Sequence, residues 1–257
     1  MRPYIGICDV ANADQASHFV EQIPPDFSHD VMIGVMMSRK TLYGLPTKWS
    51  EIFPKKETIK DIFIPDRRAL NTIHYADYDV GTSRDTHLAT TLSHVASYGG
   101  AHLNAIQLDM IWPSRHELAF FRRISGIPIV LQVGSNAMAE CGNDSIEVAR
   151  RLETYRDSID CVLFDKSMGE GKGMDAALLS TFVGAMVADC PHLLPAVAGG
   201  LGPTSMYPVE PLWRAYHNLS MDMQSKVRPS GDKKDPIDKE MAAEALRMAV
   251  RIKQSFS

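Results

Sequence analysis

A cysteine and an aspartate with the potential for acid–base chemistry each end a short apolar run. Cys8 ends the run 4–8 and Asp165 ends the run 161–165. A carboxylic acid and a thiolate can serve one proton-transfer reaction when their environments separate their pKa values. Alternatively, Cys8 is a small buried apolar side chain and Asp165 forms a salt bridge or caps a loop. The pair predicts proton transfer if the fold brings both residues to one site.

Two consecutive glycines, Gly199 and Gly200, directly follow another apolar run. Glycine lets the backbone approach a ligand closely and present its N–H groups, which suits a phosphate. The segment after the next run adds a hydroxyl group with Ser225 and a positive charge with Lys226. We predict that these four residues bind a phosphate group. The alternative is a tight turn beside a solvated basic loop.

Motifs for nucleotide binding, metal binding and serine hydrolysis are incomplete. The pair Gly171-Lys172 lacks the earlier glycine and the following Ser or Thr of a P-loop. We interpret this segment as a loop from which Lys172 reaches an anionic ligand, the alternative being an ordinary glycine-rich surface loop. The 9 histidines show no metal-ligand spacing, and no Gly-x-Ser-x-Gly motif occurs. We therefore expect neither a metal site nor a serine-hydrolase triad.

The candidate residues lie within a regular alternation of short apolar runs and amphipathic segments. The predicted strands are 4–8, 31–36, 71–75, 105–109, 128–133, 161–165, 193–197 and 219–223. The predicted helices are 12–21, 83–98, 114–124, 145–155, 175–187, 205–216 and 236–252. Eight strand–helix units in about 250 residues are typical of a (β/α)8 TIM barrel, whose active sites lie at the C-terminal strand ends. A doubly wound open sheet is the competing fold, and the absence of a linker predicts one domain, 1–257.

The composition excludes several classes of protein. Hydrophobic residues make up 45% and charged residues 23% of the chain, which is ordinary for a folded globular protein. The net charge of −4 argues against a general nucleic-acid binder, and no apolar stretch is long enough for a bilayer. The 4 cysteines form no CxxC pair, so neither a disulfide framework nor a structural zinc site is indicated. We expect a cytoplasmic protein without a nucleic-acid or membrane partner.

Seven short segments at the strand ends share their pattern with one enzyme family. The segments are Ile7-Cys8, Ser38-Arg39, Ile106-Gln107-Leu108, Val162–Asp165, Gly171–Asp175, Ala198–Leu201 and Asp222–Ser225. They resemble phosphoribosylanthranilate isomerase, a (β/α)8 barrel of tryptophan biosynthesis. The resemblance implies an Amadori rearrangement of a phosphorylated aminoaldose, an aldose–ketose isomerisation that needs no metal or organic cofactor.

The resemblance also implies roles for individual residues. Asp165 would be the general acid that opens the sugar ring, and Cys8 thiolate would be the general base at the neighbouring carbon. Arg39 would hold the carboxylate of the substrate. The other residues expected to contact the substrate are Gln107, Asp109, Lys172 and Asp222, with the phosphate on Gly199, Gly200, Ser225 and Lys226.

Five departures from the family pattern affect the substrate prediction. Gly6 replaces a lysine, Asp9 a glycine and Asp109 a histidine; Lys226 replaces a glycine and Arg228 a glutamate. Because Asp9 and Asp109 add negative charge where an anionic substrate end is expected, we predict weak or absent activity on phosphoribosylanthranilate. The true ligand would be a phosphosugar with a less anionic far end. A barrel enzyme for a different phosphosugar and a non-catalytic phosphometabolite binder are the alternatives. The sequence leaves open whether the chain forms a homodimer.

Overall fold

Eight parallel strands close into a barrel in the computed structural model, which describes residues 1–49, 52–79, 86–165, 175–232 and 234–256. Each strand pairs with the next along the chain, and the first pairs with the last. The strands are β1 (Tyr4–Cys8), β2 (Asp30–Ser38), β3 (Ala69–Ala76), β4 (Ala105–Asp109), β5 (Ile129–Gly134), β6 (Cys161–Asp165), β7 (Leu194–Ala198) and β8 (Ser220–Met223). This arrangement confirms the predicted (β/α)8 barrel and excludes the open sheet.

Helices separate the strands along the chain. They are α1 (Ala13–Val20), α2 (Arg39–Leu42), α3 (Leu88–Ser97), α4 (Arg115–Ser125), α5 (Ser135–Ala139), α6 (Ser145–Glu153), α7 (Ala176–Asp189), α8 (Glu210–Ala215) and α9 (Lys239–Gln254). Several begin directly after a polar side chain that accepts a backbone N–H of the first turn, which fixes the start of a helix. These capping residues are Asn12, Ser38, Ser114, Asp144, Asp175 and Asp238.

Most of the other strands and helices differ from their predicted bounds by a few residues, the helices α2 and α5 are not predicted, and local reasons are visible for β3 and α8. Strand β3 extends over eight residues although its sequence is polar. The amide of Asn71 in this strand donates to the carbonyls of Ile64 at 2.8 Å and His102 at 2.9 Å, so burial leaves that group satisfied. The predicted helix 205–216 begins only at Glu210, because a short 3₁₀ helix, Tyr207–Val209, precedes it.

The side chains inside the barrel change from apolar to polar along the strands. The apolar layer contains Tyr4, Met32, Leu70, Ala105, Val130, Cys161, Leu163 and Ala196. Because residues two apart in a strand share a face, the polar residues that follow these positions also point inward. The apolar layer therefore forms a packed floor beneath a polar layer at the C-terminal strand ends. No helix in the described ranges combines the length and the apolarity needed to cross a membrane.

Candidate active site

A cavity of about 1100 Å³ opens at the C-terminal ends of the strands. Most of the predicted site residues line it, namely Cys8, Arg39, Gln107, Asp109, Asp165, Gly199, Gly200, Asp222 and Ser225. The side chain of Lys226 is exposed and lies outside this lining. Lys172 falls outside the described residues. The barrel thus brings predicted residues from strands β1, β4, β6 and β8, from the start of α2 and from the loops after β7 and β8 to one cavity.

Cys8 lies at the base of the cavity beside two polar side chains and is only 2% exposed. Its Sγ is 3.4 and 3.5 Å from the two carboxylate oxygens of Asp222 and 3.5 Å from Nδ1 of His74. Burial, followed by the negative charge of Asp222, raises the pKa of the Cys8 thiol well above its ordinary value. Cys8 therefore rests as a thiol that donates to Asp222, and not as the free thiolate expected from the resemblance.

The carboxyl group of Asp222 occupies space that only a glycine at position 6 leaves open. A Cβ atom on Gly6 would lie 2.1 Å from Oδ1 of Asp222, so any larger residue would displace the carboxyl group. Burial raises the pKa of Asp222 to about 7, although hydrogen bonds from Cys8 and Gln107 oppose the shift. Gly6 thus leaves room for a buried carboxyl group whose pKa is about 7.

A chain of hydrogen bonds connects the two predicted catalytic residues across the barrel. Gln132 donates from Nε2 to Oδ2 of Asp165 at 3.3 Å, and Gln107 donates from Nε2 to Oε1 of Gln132 at 3.2 Å. The same Gln107 nitrogen lies 3.3 Å from Nδ1 of His74, which contacts Cys8. Burial lowers the pKa of His74 to about 4, so its imidazole is neutral and Nδ1 accepts the amide proton. Neutral, buried groups of this kind hold Cys8 and Asp165 in fixed positions.

His74 and Gln132 belong to the site but are not predicted from the sequence. Each is a polar residue within a strand, two residues before an inward-facing position at the strand end. That spacing is the signal that could have identified them, because strand residues two apart point to the same side.

Asp9 and Arg228, two departures from the family pattern, form an ion pair with each other. Their side chains are only 6% and 0% exposed, and Gln224 donates to the same Asp9 oxygen at 3.0 Å. Arg228 also donates to the backbone carbonyls of Gln224 and, at 2.6 Å, of Asp235. The expectation that Asp9 adds an uncompensated negative charge to the site is therefore wrong.

Arg39 and Asp109 each contact a protein group at the outer side of the cavity. The Nε atom of Arg39 lies 3.8 Å from a carboxylate oxygen of buried Asp77. The hydroxyl group of Tyr78 donates to Asp109, and burial together with the Asp109 charge raises the pKa of Tyr78 well above its ordinary value. A substrate carboxylate at Arg39 would therefore share the guanidinium with Asp77.

Two stacked aromatic rings line the cavity in the segment between β2 and β3. The rings of Trp49 and Phe53 are parallel within 6°, with their centroids 5.7 Å apart. The ammonium group of Lys48 lies 4.9 Å from the centre of a Trp49 ring. This arrangement offers a flat apolar surface with one positive charge to a ligand in the cavity.

The loop after β7 places two glycine backbones in the cavity wall. Gly199 and Gly200 have φ values of 132° and 60°, which residues with a side chain rarely adopt. The hydroxyl group of Ser205 donates to the carbonyl of Gly200 at 2.6 Å and fixes the loop. Ser225, at the start of a short 3₁₀ helix after β8, lies in the same wall. The predicted phosphate contacts thus face one common space, except for the exposed Lys226.

Comparison with solved structures finds phosphoribosylanthranilate isomerases along almost the whole chain. The structure from Thermotoga maritima matches with a TM-score of 0.62 and 16% identity, covering 98% of this chain and 99% of that one. The structure from Thermococcus kodakaraensis matches with a TM-score of 0.59 and 15% identity, covering 97% and 98%. The chain has the fold of these isomerases.

A third structural match is to part of a much larger enzyme. Pyruvate carboxylase from Rhizobium etli matches with a TM-score of 0.50 and 8% identity, covering 100% of this chain and 26% of that one. No family model matches the sequence, and no curated protein matches it by sequence. At these identities the similarity describes the fold, so function has to be argued from the site itself.

Proposed function

We propose that this protein is an isomerase that converts a phosphorylated aldose or aminoaldose into the corresponding ketose. The observation that carries the proposal is the placement of Asp165 and the Cys8–Asp222 pair in one cavity, joined by hydrogen-bonded side chains. An Amadori rearrangement needs an acid at the ring oxygen and a base at the adjacent carbon, acting on one bound sugar. Both groups are buried, where proton transfer is shielded from bulk water.

The reaction of an aminoaldose proceeds in two stages, which are ring opening and transfer of a proton from C2 to C1. In an aldose, the carbonyl oxygen at C1 takes the place of the nitrogen. Asp165 protonates the ring oxygen, the ring C–O bond breaks, and the nitrogen lone pair forms a protonated Schiff base at C1. The base then removes the C2 proton, and the electron pair of that bond moves through C1 to the nitrogen to give an enaminol. Protonation at C1 and loss of the C2 hydroxyl proton yield the ketone. Atoms and electrons balance within the substrate, so no oxidant or reductant takes part.

The phosphate of the substrate is proposed to bind at Gly199, Gly200 and Ser225. A dianion would gain from backbone N–H groups of a loop that is already folded in the cavity wall, because the loop would not have to reorganise. Lys226 would add long-range attraction from the surface, since its side chain lies outside the cavity lining. Anchoring the phosphate there fixes which sugar carbons reach Cys8 and Asp165.

We still favour a phosphosugar other than phosphoribosylanthranilate as the substrate, but one of the two aspartates that suggested this from the sequence no longer supports it. Asp9 is balanced by Arg228 and no longer contributes to the charge argument. Asp77 lies beside Arg39, and Asp109, which accepts a hydrogen bond from Tyr78, adds a second carboxyl group to the cavity lining. These groups favour a substrate whose far end is less anionic than an aromatic acid.

Consumption of phosphoribosylanthranilate, followed by fluorescence, tests both parts of the proposal. We expect slow turnover by the wild type and faster turnover by Asp109→His, because the variant removes a carboxyl group from the cavity lining. Ketose formation from a panel of phosphorylated aldoses and aminoaldoses tests the reaction class. The exposed Asp157 provides a matched control as Asp157→Asn. Robust wild-type turnover of phosphoribosylanthranilate would refute the proposal of a different substrate but would support the proposed isomerisation. Binding of phosphosugars without formation of any ketose would refute the isomerisation.

A further inference from the structure

Cys8 and Asp222 are two ionisable groups in direct contact at the base of the cavity. Both carboxylate oxygens lie within 3.5 Å of Sγ, so either oxygen of Asp222 can accept the thiol proton. Two glycines create the space for this contact. A Cβ on Gly6 would meet the carboxyl group at 2.1 Å, and one on Gly34 would meet Sγ at 3.0 Å.

We propose that Asp222 is a catalytic residue that accepts the thiol proton of Cys8, so that the base is a Cys8–Asp222 pair sharing one proton. This inference rests on the proposed isomerisation. As the C2–H bond of the sugar breaks, its proton bonds to Sγ while the original S–H proton passes to Oδ of Asp222. The electron pair of the C–H bond moves into the substrate, and the pair carries one additional proton until it is returned.

Among the residues that the structure describes, no other group around the pair is a favoured acceptor of the thiol proton. His74 is neutral, and its Nδ1 faces the amide of Gln107, so a thiolate–imidazolium pair is not favoured. Arg228 attracts the thiolate but is already bound to Asp9. The ionisable groups that act electrostatically on the pair are Tyr4 and Asp9 near β1, His74 in β3, Cys161 and Asp165 in β6, and Arg228 after β8.

The titration of the pair fits a base that works near neutral pH. Burial raises the pKa of Asp222 to about 7, so its carboxyl group can both release and take up a proton near neutral pH. A free thiolate of Cys8 is disfavoured by the same carboxylate, because two negative charges would lie within 3.5 Å of each other. Activity should therefore require the pair to hold one proton, and not two.

The Asp222→Asn variant separates this role from that of a thiolate acting alone. Asparagine has nearly the same shape and can still hydrogen-bond Sγ, but it neither repels a thiolate nor accepts a proton. Both proteins carry Cys141→Ser, which removes the partly exposed thiol. We expect iodoacetamide to alkylate Cys8 at pH 8 at least ~10-fold faster in the protein with Asp222→Asn than in the protein that retains Asp222. With any phosphosugar that is turned over, kcat should fall at least ~100-fold.

The pH profile of kcat provides a second measurement, which would not change if Asp222 had only a structural role. Wild-type kcat should rise with pH through an apparent pKa of about 7, and this limb should disappear in Asp222→Asn. Unchanged alkylation of Cys8 in the variant would overturn the pair, as would retention of wild-type kcat and its pH profile. The alkylation arm needs no substrate, so it decides the pair even if the isomerisation proposal fails. Gly6→Ala is a second variant, expected to lower kcat by displacing the carboxyl group while Cys8 remains.

Discussion

Asp9 and Arg228 form a buried ion pair that joins the residue after Cys8 to the loop that carries Ser225 in the cavity wall. The two residues are 219 positions apart in the chain and meet because β1 pairs with β8. Both depart from the family pattern, and the second change balances the charge that the first introduces. The pair therefore couples the base of the cavity to the proposed phosphate site.

Breaking this ion pair should destabilise the protein. Arg228→Met leaves the Asp9 carboxylate buried without its guanidinium, and we expect the free energy of unfolding in urea to fall by roughly 3–5 kcal/mol. The double variant Asp9→Asn/Arg228→Met should recover part of the loss. Arg214→Met removes an exposed ion pair with Glu210 and should cost less than about 1 kcal/mol. Equal effects of the two arginine substitutions would contradict the account of Arg228.

Substitution of Gly200 should impair phosphosugar binding. Gly200→Val forces a branched side chain into a left-handed backbone conformation within the cavity wall, so the N–H groups of the loop should lose their alignment. We expect calorimetry to show at least a ~10-fold loss of affinity for a phosphosugar. Gly142 has a similar φ of 64° and open space around it, so Gly142→Val serves as the control. Unchanged affinity in Gly200→Val would rule out the phosphate site.

Buried ionisable groups should make the stability of the protein depend on pH in two opposite directions. The pKa of His74 is lowered to about 4, so the unfolded chain binds more protons between pH 4 and 6.5, and His74 makes stability rise with pH there. The pKa of Asp222 is raised from 3.8 to about 7, so this residue makes stability fall as pH rises through that range. His29, also lowered to about 4, acts in the same direction as His74.

Asp222→Asn should therefore stabilise the protein at pH 8 while it impairs the proposed activity. The variant removes a buried negative charge, and we expect a gain of roughly 1–4 kcal/mol in urea unfolding at that pH. His74→Gln should flatten the rise in stability between pH 4 and 6.5. A loss of stability in Asp222→Asn at pH 8 would show that the carboxylate has a structural role that its burial and charge do not explain.

The aromatic surface of Trp49 and Phe53 should contact the far end of the substrate. We expect Trp49→Ala to raise KM at least ~5-fold with little change in kcat, because the ring provides binding surface away from the reacting carbons. Trp49 fluorescence should also change when a phosphosugar binds. Phe120→Ala, which removes an exposed aromatic ring from α4, is the control. Equal KM values for the two variants would exclude Trp49 from the binding site.

Much of the barrel follows from the sequence, because continuous apolar runs between polar segments define β1, β4 and β6 with the observed bounds. The length of β3 could not be predicted from the sequence, because the burial of Asn71 depends on hydrogen bonds to carbonyls of two other segments. The predicted cavity residues follow from the rule that barrel sites lie at strand ends. The Asp9–Arg228 pair and the contact of Cys8 with Asp222 require closure of the barrel, which no local pattern encodes.

Ketose formation in D₂O, measured by mass spectrometry, is the most direct test of the proposed isomerisation. The wild type should convert at least one phosphorylated aldose or aminoaldose of the panel into a ketose that carries solvent deuterium at C1, because the base exchanges its proton with water. Asp165→Asn should lower the rate at least ~100-fold, while Asp157→Asn should not change it. Tight phosphosugar binding by the wild type with no ketose formed from any member of the panel would contradict the account.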